Sequence, residues 1–581
     1  QTVDIKGIII DDKTERPIDG AVIRINNFSQ TSQLDGTFIF LKVPFGTYEL
    51  VVEKEDYLSL NLKIFVDNAD FTLEPIKLQS IYDNLLANMS ETTVLLSDLD
   101  DDSGSQNISA LLTTRQDDFI SLVGYNLSFA RFQFRGYSSE YQDVFINGIR
   151  MNQALTNRPV WSEWGGLNDA TRNQEVVQGI GPTQFAYGNI AGTSNINTRP
   201  SVIPKQQKLS YALSNRSYDN RVMYAYSSGL LSNNWAFAAN VSKRWSQEGY
   251  VEGTQYDAWS AFISVEKRFN RQHSLVISAF ASPYTRAMQA PSTQEVYDLM
   301  DNNFYNPNWG WQMGEKRNAK VRTMMNPTLI INHYWNLSDK IRLNNAIGYV
   351  YNSIGTTSLN WYDAPDPRPD YYRYLPSYQT NEAIKELVIE AWQNDQSKSQ
   401  IDWDRLYQVN YLQNLENKQA KYMIENRKTV SSTLTINPNI QYNINSNIVY
   451  NGGIEFQAYR GKQFKIIDDL LGGEFWIDID QFAERDFAGD TVVLINDLQN
   501  PNKELKEGDK FGYNYSLNKN MLNHWSMLNI YINKFDFFAG FNIGFMQYWR
   551  DGKMQNGRYP DNSLGKSDVT TYNNMSVKGG T

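Results

Sequence analysis

From about residue 205 onward the sequence repeats one pattern, in which apolar side chains occupy every second position of successive segments. In one such segment, one side is formed by Trp235, Phe237, Ala239 and Val241, and the other by Ala236, Ala238, Asn240 and Ser242. Side chains of a β-strand point alternately to its two faces, so a period of two predicts strands with one apolar face. The pattern favours a mainly β fold built on a large antiparallel sheet.

The connections between the predicted strands alternate in length. The predicted strands are 209–213, 222–226, 235–241, 259–269, 274–282, 324–335, 341–351, 431–442, 448–459, 527–532 and 537–548. The turns are short at 270–272, 338–339 and 445–447, and the loops are long at 283–321, 353–429 and 461–519. A repeated soluble sandwich gives no reason for this asymmetry, whereas a β-barrel that crosses a membrane has short turns at one end and long loops at the other. We therefore predict a transmembrane antiparallel β-barrel.

The composition fits a membrane barrel with a polar lumen and excludes several other classes. Mean hydropathy is −0.53, and no run of 18 apolar residues occurs, which argues against a helical membrane protein. The 36 tyrosines and 14 tryptophans are expected at the two membrane interfaces. A net charge of −10 without a basic block argues against nucleic-acid binding.

The sequence offers no group for covalent or metal chemistry. It has no cysteine and only three histidines, none of which has a second histidine at a metal-ligand spacing. We therefore expect neither an enzyme nor a bound cofactor or metal. The chain begins at Gln1 without a charged and apolar leader, which predicts a mature secreted product.

A glycine-rich run precedes the alternating segments. Its motifs are Phe132-Gln-Phe-Arg-Gly136, Asp143-Val-Phe-Ile-Asn-Gly-Ile-Arg-Met-Asn152, Gly179-Ile-Gly-Pro-Thr-Gln-Phe-Ala-Tyr-Gly188, Ala191-Gly192 and Asn195-Ile-Asn-Thr-Arg199. Asn147-Gly148 predicts a tight hairpin, because both residue types tolerate positive φ. Together these motifs resemble the plug domain of TonB-dependent outer-membrane receptors, a compact α/β module held inside the barrel.

The resemblance implies a plug over residues 111–200 and a set of motif residues within it. These are Arg135, Gly136, Asp143, Asn147, Gly148, Arg150, Gly179, Gly188 and Gly192. The two arginines are expected to pair with lumen carboxylates and anchor the plug, although a network that breaks when a partner pulls remains the alternative. This chain has Gly192-Thr193 where the family usually has two glycines.

Residues 1–78 read as about seven short strands broken by turns, which predicts a two-sheet β-sandwich. The domain also resembles the carboxypeptidase-regulatory-like family, through a pattern filled by Gly36, Phe38, Val43, Pro44, Gly46 and Tyr48. No catalytic constellation accompanies it, so we expect no peptidase activity and predict a periplasmic spacer. Its fusion to a plug resembles the SusC-like receptors of Bacteroidetes.

Residues 79–110 form the predicted linker. Receptors of this family carry a TonB box before the plug, an extended segment that adds as a strand to the energy-transducing partner. Val94, Leu95 and Leu96 are the candidate here. Asp98, Asp100 and Asp102 have the first three spacings of a calcium loop, but Gly104 falls one place late and Ser109 stands at the twelfth position. A solvated acidic linker is therefore expected.

Residues 201–581 are assigned to the barrel, and they supply about eleven or twelve strands. The barrels of TonB-dependent receptors have about 22 strands, wide enough to house a plug. The chain is therefore expected to contain roughly the first half of such a barrel.

The long loops carry the candidate contacts with a ligand or a partner protein. These contacts are Trp309, Trp311, Trp361, Tyr362, Tyr371, Tyr372 and Trp403. Residues 381–394 are predicted to form an amphipathic helix. Aromatic side chains beside carboxylates can stack on sugars, grip a peptide or dock a lid protein, and they can equally pack one loop against another.

The leading hypothesis is a TonB-dependent importer of an oligosaccharide or peptide in the bacterial outer membrane. Its expected surroundings are outer-membrane lipid, TonB and a SusD-like surface lipoprotein or other complex subunits. The alternative is a structural subunit of an outer-membrane assembly or secretion complex that imports nothing.

Overall fold

In the computed structural model the chain divides into two compact units, residues 1–100 and 101–581. The structure describes residues 2–12, 17–26, 28–54, 57, 59–67, 71–78, 93–94, 137–203, 205–215, 217–487, 489–532 and 534–581.

The first unit contains two four-stranded sheets packed face to face. One sheet is formed by Thr2–Asp11, Thr37–Pro44, Phe71–Thr72 and Ile76–Leu78, and the other by Val22–Ile25, Phe28–Thr31, Gly46–Glu53 and Leu60–Val66. Alternate residues such as Ile5, Ile23 and Leu50 are fully buried between the sheets. The turn at Gly36 has φ +75, and an added Cβ there would lie 2.5 Å from the Ile9 carbonyl oxygen, so only glycine fits. A further short strand is Thr93–Val94.

The second unit contains a small mixed sheet within residues 137–203. We call residues 137–203 the inserted module. Its strands are Asp143–Ile146, Ile149–Arg150, Gln174–Val177 and Thr193–Ile196. The first and last of these pair in parallel, whereas the other neighbours are antiparallel. Asn147 and Gly148 have φ of 49° and 81°, which confirms the predicted Asn-Gly hairpin. Short 3₁₀ helices lie at Ser139–Tyr141, Trp161–Trp164 and Pro200–Val202.

The rest of the second unit is a 15-stranded antiparallel sheet, here called the large sheet. Its strands are Gln206–Leu213, Asn220–Leu230, Trp235–Ser246, Tyr256–Arg268, His273–Ala281, Tyr284–Ala287, Val321–Met325, Thr328–Asn336, Ile341–Trp361, Tyr422–Asn445, Ile448–Asp469, Lys510–Ile532, Phe535–Gly552, Gly565–Lys566 and Thr570–Gly580. Most of its pairings join strands that are consecutive in the chain.

The two faces of the large sheet reverse the arrangement of a soluble protein. Along Trp235–Ser246 the exposed face carries Phe237 and Val241, and the buried face carries Ala238, Asn240 and Ser242. The same holds elsewhere, with Ile263, Ile347 and Ile543 among the exposed side chains and Ser278, Asn332 and Asn451 among the buried ones. An apolar outer face over a polar inner face is the arrangement of a sheet that faces lipid.

The long connections are shorter than predicted because the strands extend into them. The sheet continues to Trp361 and resumes at Tyr422, and it likewise continues to Asp469 and resumes at Lys510. Apolar residues occur in these strand ends, as in Tyr422-Met-Ile424 and Phe464-Lys-Ile-Ile467, but they do not recur at every second position, so the alternation that marks a strand is missing from the sequence. The predicted boundaries of loops 353–429 and 461–519 were therefore wrong, whereas the short turns are confirmed.

The long connections contain their own small elements. The α-helices are Gln294–Met300, Glu382–Asn394, Gln396–Ser399, Trp403–Leu415 and Gln481–Asp486. The remaining strands are Trp309–Gln312, Glu315–Asn318, Trp476–Ile477 and Glu504–Leu505, and 3₁₀ turns lie at Tyr372–Tyr374 and Pro376–Tyr378. The predicted helix 381–394 is confirmed, with the Asn381 side chain accepting from the first-turn backbone. Within the described residues no helix is long and apolar enough to cross a membrane.

Candidate functional site

The candidate site is the contact between the inserted module and the inner face of the large sheet. Arg150 is its central cation. The guanidinium contacts Asp143 Oδ1 at 2.7 Å and binds Glu455 with two bonds of 2.8 Å and 3.0 Å. Burial lowers the pKa of Arg150, but Asp143 and Glu455 outweigh burial and hold the pKa above its usual value. Arg150 thus pairs with a carboxylate of the large sheet, Glu455, which is 305 residues away in sequence.

A second buried ion pair joins the module to the sheet. Arg199 donates to Glu266 at 2.5 Å and to Ser274 Oγ at 3.0 Å. Glu266 is fully buried and also accepts from the Ser201 backbone at 3.1 Å. Sequence reasoning gave Arg199 no role, although Glu266 was recognisable as the one carboxylate on the inner face of the strand Tyr256–Arg268, among tyrosine, alanine, serine and phenylalanine.

Polar side chains of the sheet also hold the turns of the module through backbone carbonyls. Asn332 donates to the Asn147 carbonyl at 2.8 Å, and Asn437 donates to the Gly148 carbonyl at 2.6 Å. Further bonds run from Ser260 and Arg244 to the Gly165 carbonyl, from Lys519 to that of Ala154, and from Lys578 to that of Gly181. The carbonyls of these turns do not take part in the module's own sheet, so side chains of the large sheet donate the hydrogen bonds that they need.

Three of the predicted motif glycines have a backbone conformation with positive φ. Gly179, Gly188 and Gly192 have φ of +60, +84 and +105. At Gly192 a Cβ would lie 2.8 Å from the Val177 carbonyl oxygen, so a larger residue would separate two neighbouring strands. Arg135, Gly136, Leu95 and Leu96 lie outside the described residues, and Val94 lies in the short strand Thr93–Val94.

A cavity of about 320 Å³ lies where the module faces the later strands of the large sheet. The module contributes Asp143, Phe145, Arg150, Asn152, Phe185 and Tyr187, and the sheet contributes Asn437, Glu455, Gln457, Lys519, Asn523, Trp525 and Asn542, among others. Amide and aromatic side chains predominate. Within the described residues no group of three or more histidine, aspartate or glutamate side chains is placed to hold a metal.

The candidate aromatic residues of the loops fall into three groups by exposure. Trp309 and Trp403 are buried, at 1% and 0% exposure, so they are packing residues rather than ligand contacts. Trp403 lies in a core with Ile401, Leu406 and Leu471. Trp361, Tyr362 and Tyr371 are half-buried, while Trp311 and Tyr372 are exposed. Tyr371, Tyr372, Tyr374 and Tyr378 form a cluster with ring centroids 4.8 to 5.6 Å apart.

Asn410 is a loop residue that sequence reasoning missed. Its fully buried amide donates to the carbonyls of Tyr422, Leu470 and Leu471 and accepts from the backbone of Lys421 and Tyr422. Asn410→Ala leaves these buried groups without a partner, so we expect a loss of about 2 to 3 kcal/mol in local stability. Protease cleavage between 403 and 421 should increase, with exposed Gln408→Ala as the unaffected control. Equal cleavage of both variants would contradict this role.

Glu163 of the module gives a pH-dependent contact. Burial raises its pKa to about 7, although bonds from Asn352 and Gln153 act in the opposite direction. An unfolded glutamate titrates near about 4.3, so the folded state binds the extra proton between these values. The contribution of Glu163 to the stability of the folded module should therefore be largest below about pH 4.3 and fall by roughly 3 kcal/mol as pH rises to about 7.

Glu163→Gln should reduce this pH dependence, measured as the thermal midpoint in detergent at pH 5 and pH 8. Burial also raises the pKa of Glu175 to about 7. About half of the change in thermal midpoint between the two pH values should therefore remain in the single variant, and little of it in the double variant with Glu175→Gln. Exposed Glu140→Gln is the control. An unchanged slope in the double variant would contradict the assignment.

No protein-family model and no curated protein matches the chain. Solved structures that resemble it include the siderophore receptor PiuA from Acinetobacter baumannii, at 13% identity over 77% of this chain and 55% of that chain, with a TM-score of 0.44. The ferric-catecholate import receptor Fiu from E. coli K12 in its closed form has 10% identity over 78% and 57%, with a TM-score of 0.45. The ferric citrate transporter FecA in its unliganded form has 9% identity over 84% and 58%, with a TM-score of 0.47. The chain thus spans less than two thirds of the length of these structures, and similarity at this level does not extend to their ligands.

Proposed function

We propose that the chain belongs to an outer-membrane uptake receptor of the TonB-dependent type, in which the inserted module is the plug. The observation that carries the proposal is the large sheet, whose apolar face is exposed while its polar face holds a folded module. A membrane barrel needs the first feature. The second feature, a polar face that holds a folded module, is expected of a gated pore. The module covers the polar face through hydrogen bonds, and water can take the place of these bonds when the module moves.

In this proposal residues 1–78 form a periplasmic sandwich, 79–110 a linker with the TonB box at Val94–Leu96, 111–200 the plug, and 201–581 part of the barrel. The long connections face outward. They present the exposed Trp311 and Tyr372 to a nutrient, an oligosaccharide or peptide, or to a SusD-like surface lipoprotein. Partner traction on the linker would shift the plug and open a path.

The second candidate is a structural subunit of an outer-membrane assembly that imports nothing. One observation favours it, since the long connections form cores of their own around Trp403, Trp476 and Trp392. Pre-folded loops of this kind suit a permanent docking surface as well as a ligand site.

Growth of a deletion strain distinguishes the two. Wild type, deletion and complemented strains are compared on media limited for one oligosaccharide, one peptide or one ferric chelate at a time. The importer predicts a growth defect on one nutrient class, restored by complementation. The structural reading predicts equal growth on every nutrient, together with loss of other barrels or lipoproteins from the native outer-membrane complex.

A further inference from the structure

The module meets the large sheet along two chemically different seams. The apolar seam joins Val144, Ile149, Trp164 and Ile196 of the module to Ala238, Phe262, Phe280, Ile330 and Ala346 of the sheet. The amide seam is the cavity side, where the sheet presents Asn437, Gln457, Asn523 and Asn542. The first lies on strands between 235 and 350, and the second on strands between 422 and 552.

The apolar seam and the contact beside it are closely packed at two glycines. A Cβ built on Gly348 would lie 2.6 Å from Ile149 Cγ2, and one built on Gly166 would lie 2.6 Å from Ser260 Oγ. Small residues therefore bring the module into direct contact with the sheet. Separating this seam would expose apolar surface at a cost of about 25 cal/mol per Å².

The amide seam is open and supplies unused hydrogen-bonding groups. Asn437 and Gln457 are 1% and 2% exposed, and Asn437 Oδ1 and Gln457 Nε2 have no hydrogen-bond partner among the described residues. Both side chains line the cavity. A buried amide atom is stable only when a polar group bonds it, so these two atoms are suited to a polar solute.

The charged groups at this seam already bond protein groups, which leaves the amides to a neutral solute. Arg150 is paired with Asp143 and Glu455, and Lys519 Nζ donates to the Ala154 carbonyl at 2.7 Å. A third cation, Lys578, lies over the Tyr187 ring and donates to the Gly181 carbonyl at 2.9 Å. When the module moves away from Glu455, Arg150 keeps Asp143, because both residues belong to the module.

We propose that the amide seam is the passage, and that small neutral polar solutes bind its cavity and cross there while the apolar seam stays attached. The inference rests on the proposed uptake function. Its physical basis is a difference in cost. Each seam contains one buried ion pair, Arg150–Glu455 on the amide side and Arg199–Glu266 on the other. Beyond these pairs the amide seam exchanges hydrogen bonds worth about 0.5 to 1.5 kcal/mol net each, whereas the apolar seam would also expose apolar surface.

The chain has no cysteine, so single introduced thiols report on each seam. Gln457→Cys and Asn523→Cys test the amide seam, and Ala238→Cys and Ser278→Cys test the apolar seam. In native outer membranes, methanethiosulfonate ethyltrimethylammonium should label the first pair more than about tenfold faster, because a packed thiol reacts only through local opening. Equal rates at the two seams would overturn the proposal.

A tether then tests the passage itself. Ile149→Cys with Gly348→Cys places two thiols across the apolar seam within reach of an S–S bond of about 2.05 Å. The oxidised tether should leave uptake of the growth-limiting nutrient within about twofold of the reduced form, whereas labelled Asn523→Cys should lose it. Loss of uptake on oxidation, with uptake retained after labelling, overturns the seam assignment alone. Absence of any growth-limiting nutrient overturns the proposed function, and the passage with it.

Discussion

Arg150→Met should detach one side of the inserted module from the large sheet. The substitution keeps the length of the side chain but leaves Asp143 and Glu455, which are 4% and 5% exposed, without their shared cation. Removing one partner from a buried ion pair typically costs about 3 to 5 kcal/mol, because the remaining charge stays desolvated. The thermal midpoint in detergent should fall, and protease should cut within residues 143–203.

Two controls separate lost charge from lost packing. The triple variant Arg150→Met, Asp143→Asn and Glu455→Gln removes the charges together and should recover most of the loss. Arg158→Met removes an arginine of the same module whose pair with Glu140 is exposed, and it should change stability by less than about 1 kcal/mol. If Arg150→Met and Arg158→Met behave alike, Arg150 does not anchor the module.

Local rules were enough to predict the elements but not their partners. The alternation at Trp235–Ser246 placed Ala238 and Ser242 on the inner face, and Asn147-Gly148 placed the hairpin, because both signals depend on neighbouring residues alone. Glu455 could not be matched to Arg150 in this way. Their contact depends on the register of strands joined across loops of unknown length.

Which loop side chains are buried could not be predicted from the sequence, for a different reason. Trp309, Trp311 and Trp403 lie in similar surroundings of polar and aromatic residues, and ligand contacts and loop cores use the same residue types. Only the structure separates the two buried side chains from the exposed one. The strand ends beyond Asn352 and Gly461 were missed because their apolar residues are few and do not recur at every second position, so the period of two is absent from the sequence.

Trp403→Ala should unfold the loop region while leaving the large sheet intact. The ring is fully buried, its Nε1 donates to the Arg317 carbonyl at 3.2 Å, and the Arg317 guanidinium lies 4.4 Å from the ring centroid. Truncating a buried tryptophan costs about 3 to 5 kcal/mol through lost burial and the cavity left behind. The sheet has its own strand pairing, so the loss should appear as local opening. Limited proteolysis should show rapid cleavage in 362–421, with the heat-dependent gel mobility of the whole protein unchanged.

Trp311→Ala is the matched control, since it removes the same side chain from the adjoining hairpin. Trp311 is 43% exposed and donates to Gln396 Oε1 at 3.1 Å, so its loss should cost less than about 1 kcal/mol. The two variants therefore separate loop packing from ligand contact. Resistance of Trp403→Ala to protease would contradict the assigned core. Loss of nutrient uptake in Trp311→Ala with the loops still folded would make Trp311 a ligand contact, because an exposed ring can be deleted without disturbing the fold that presents it.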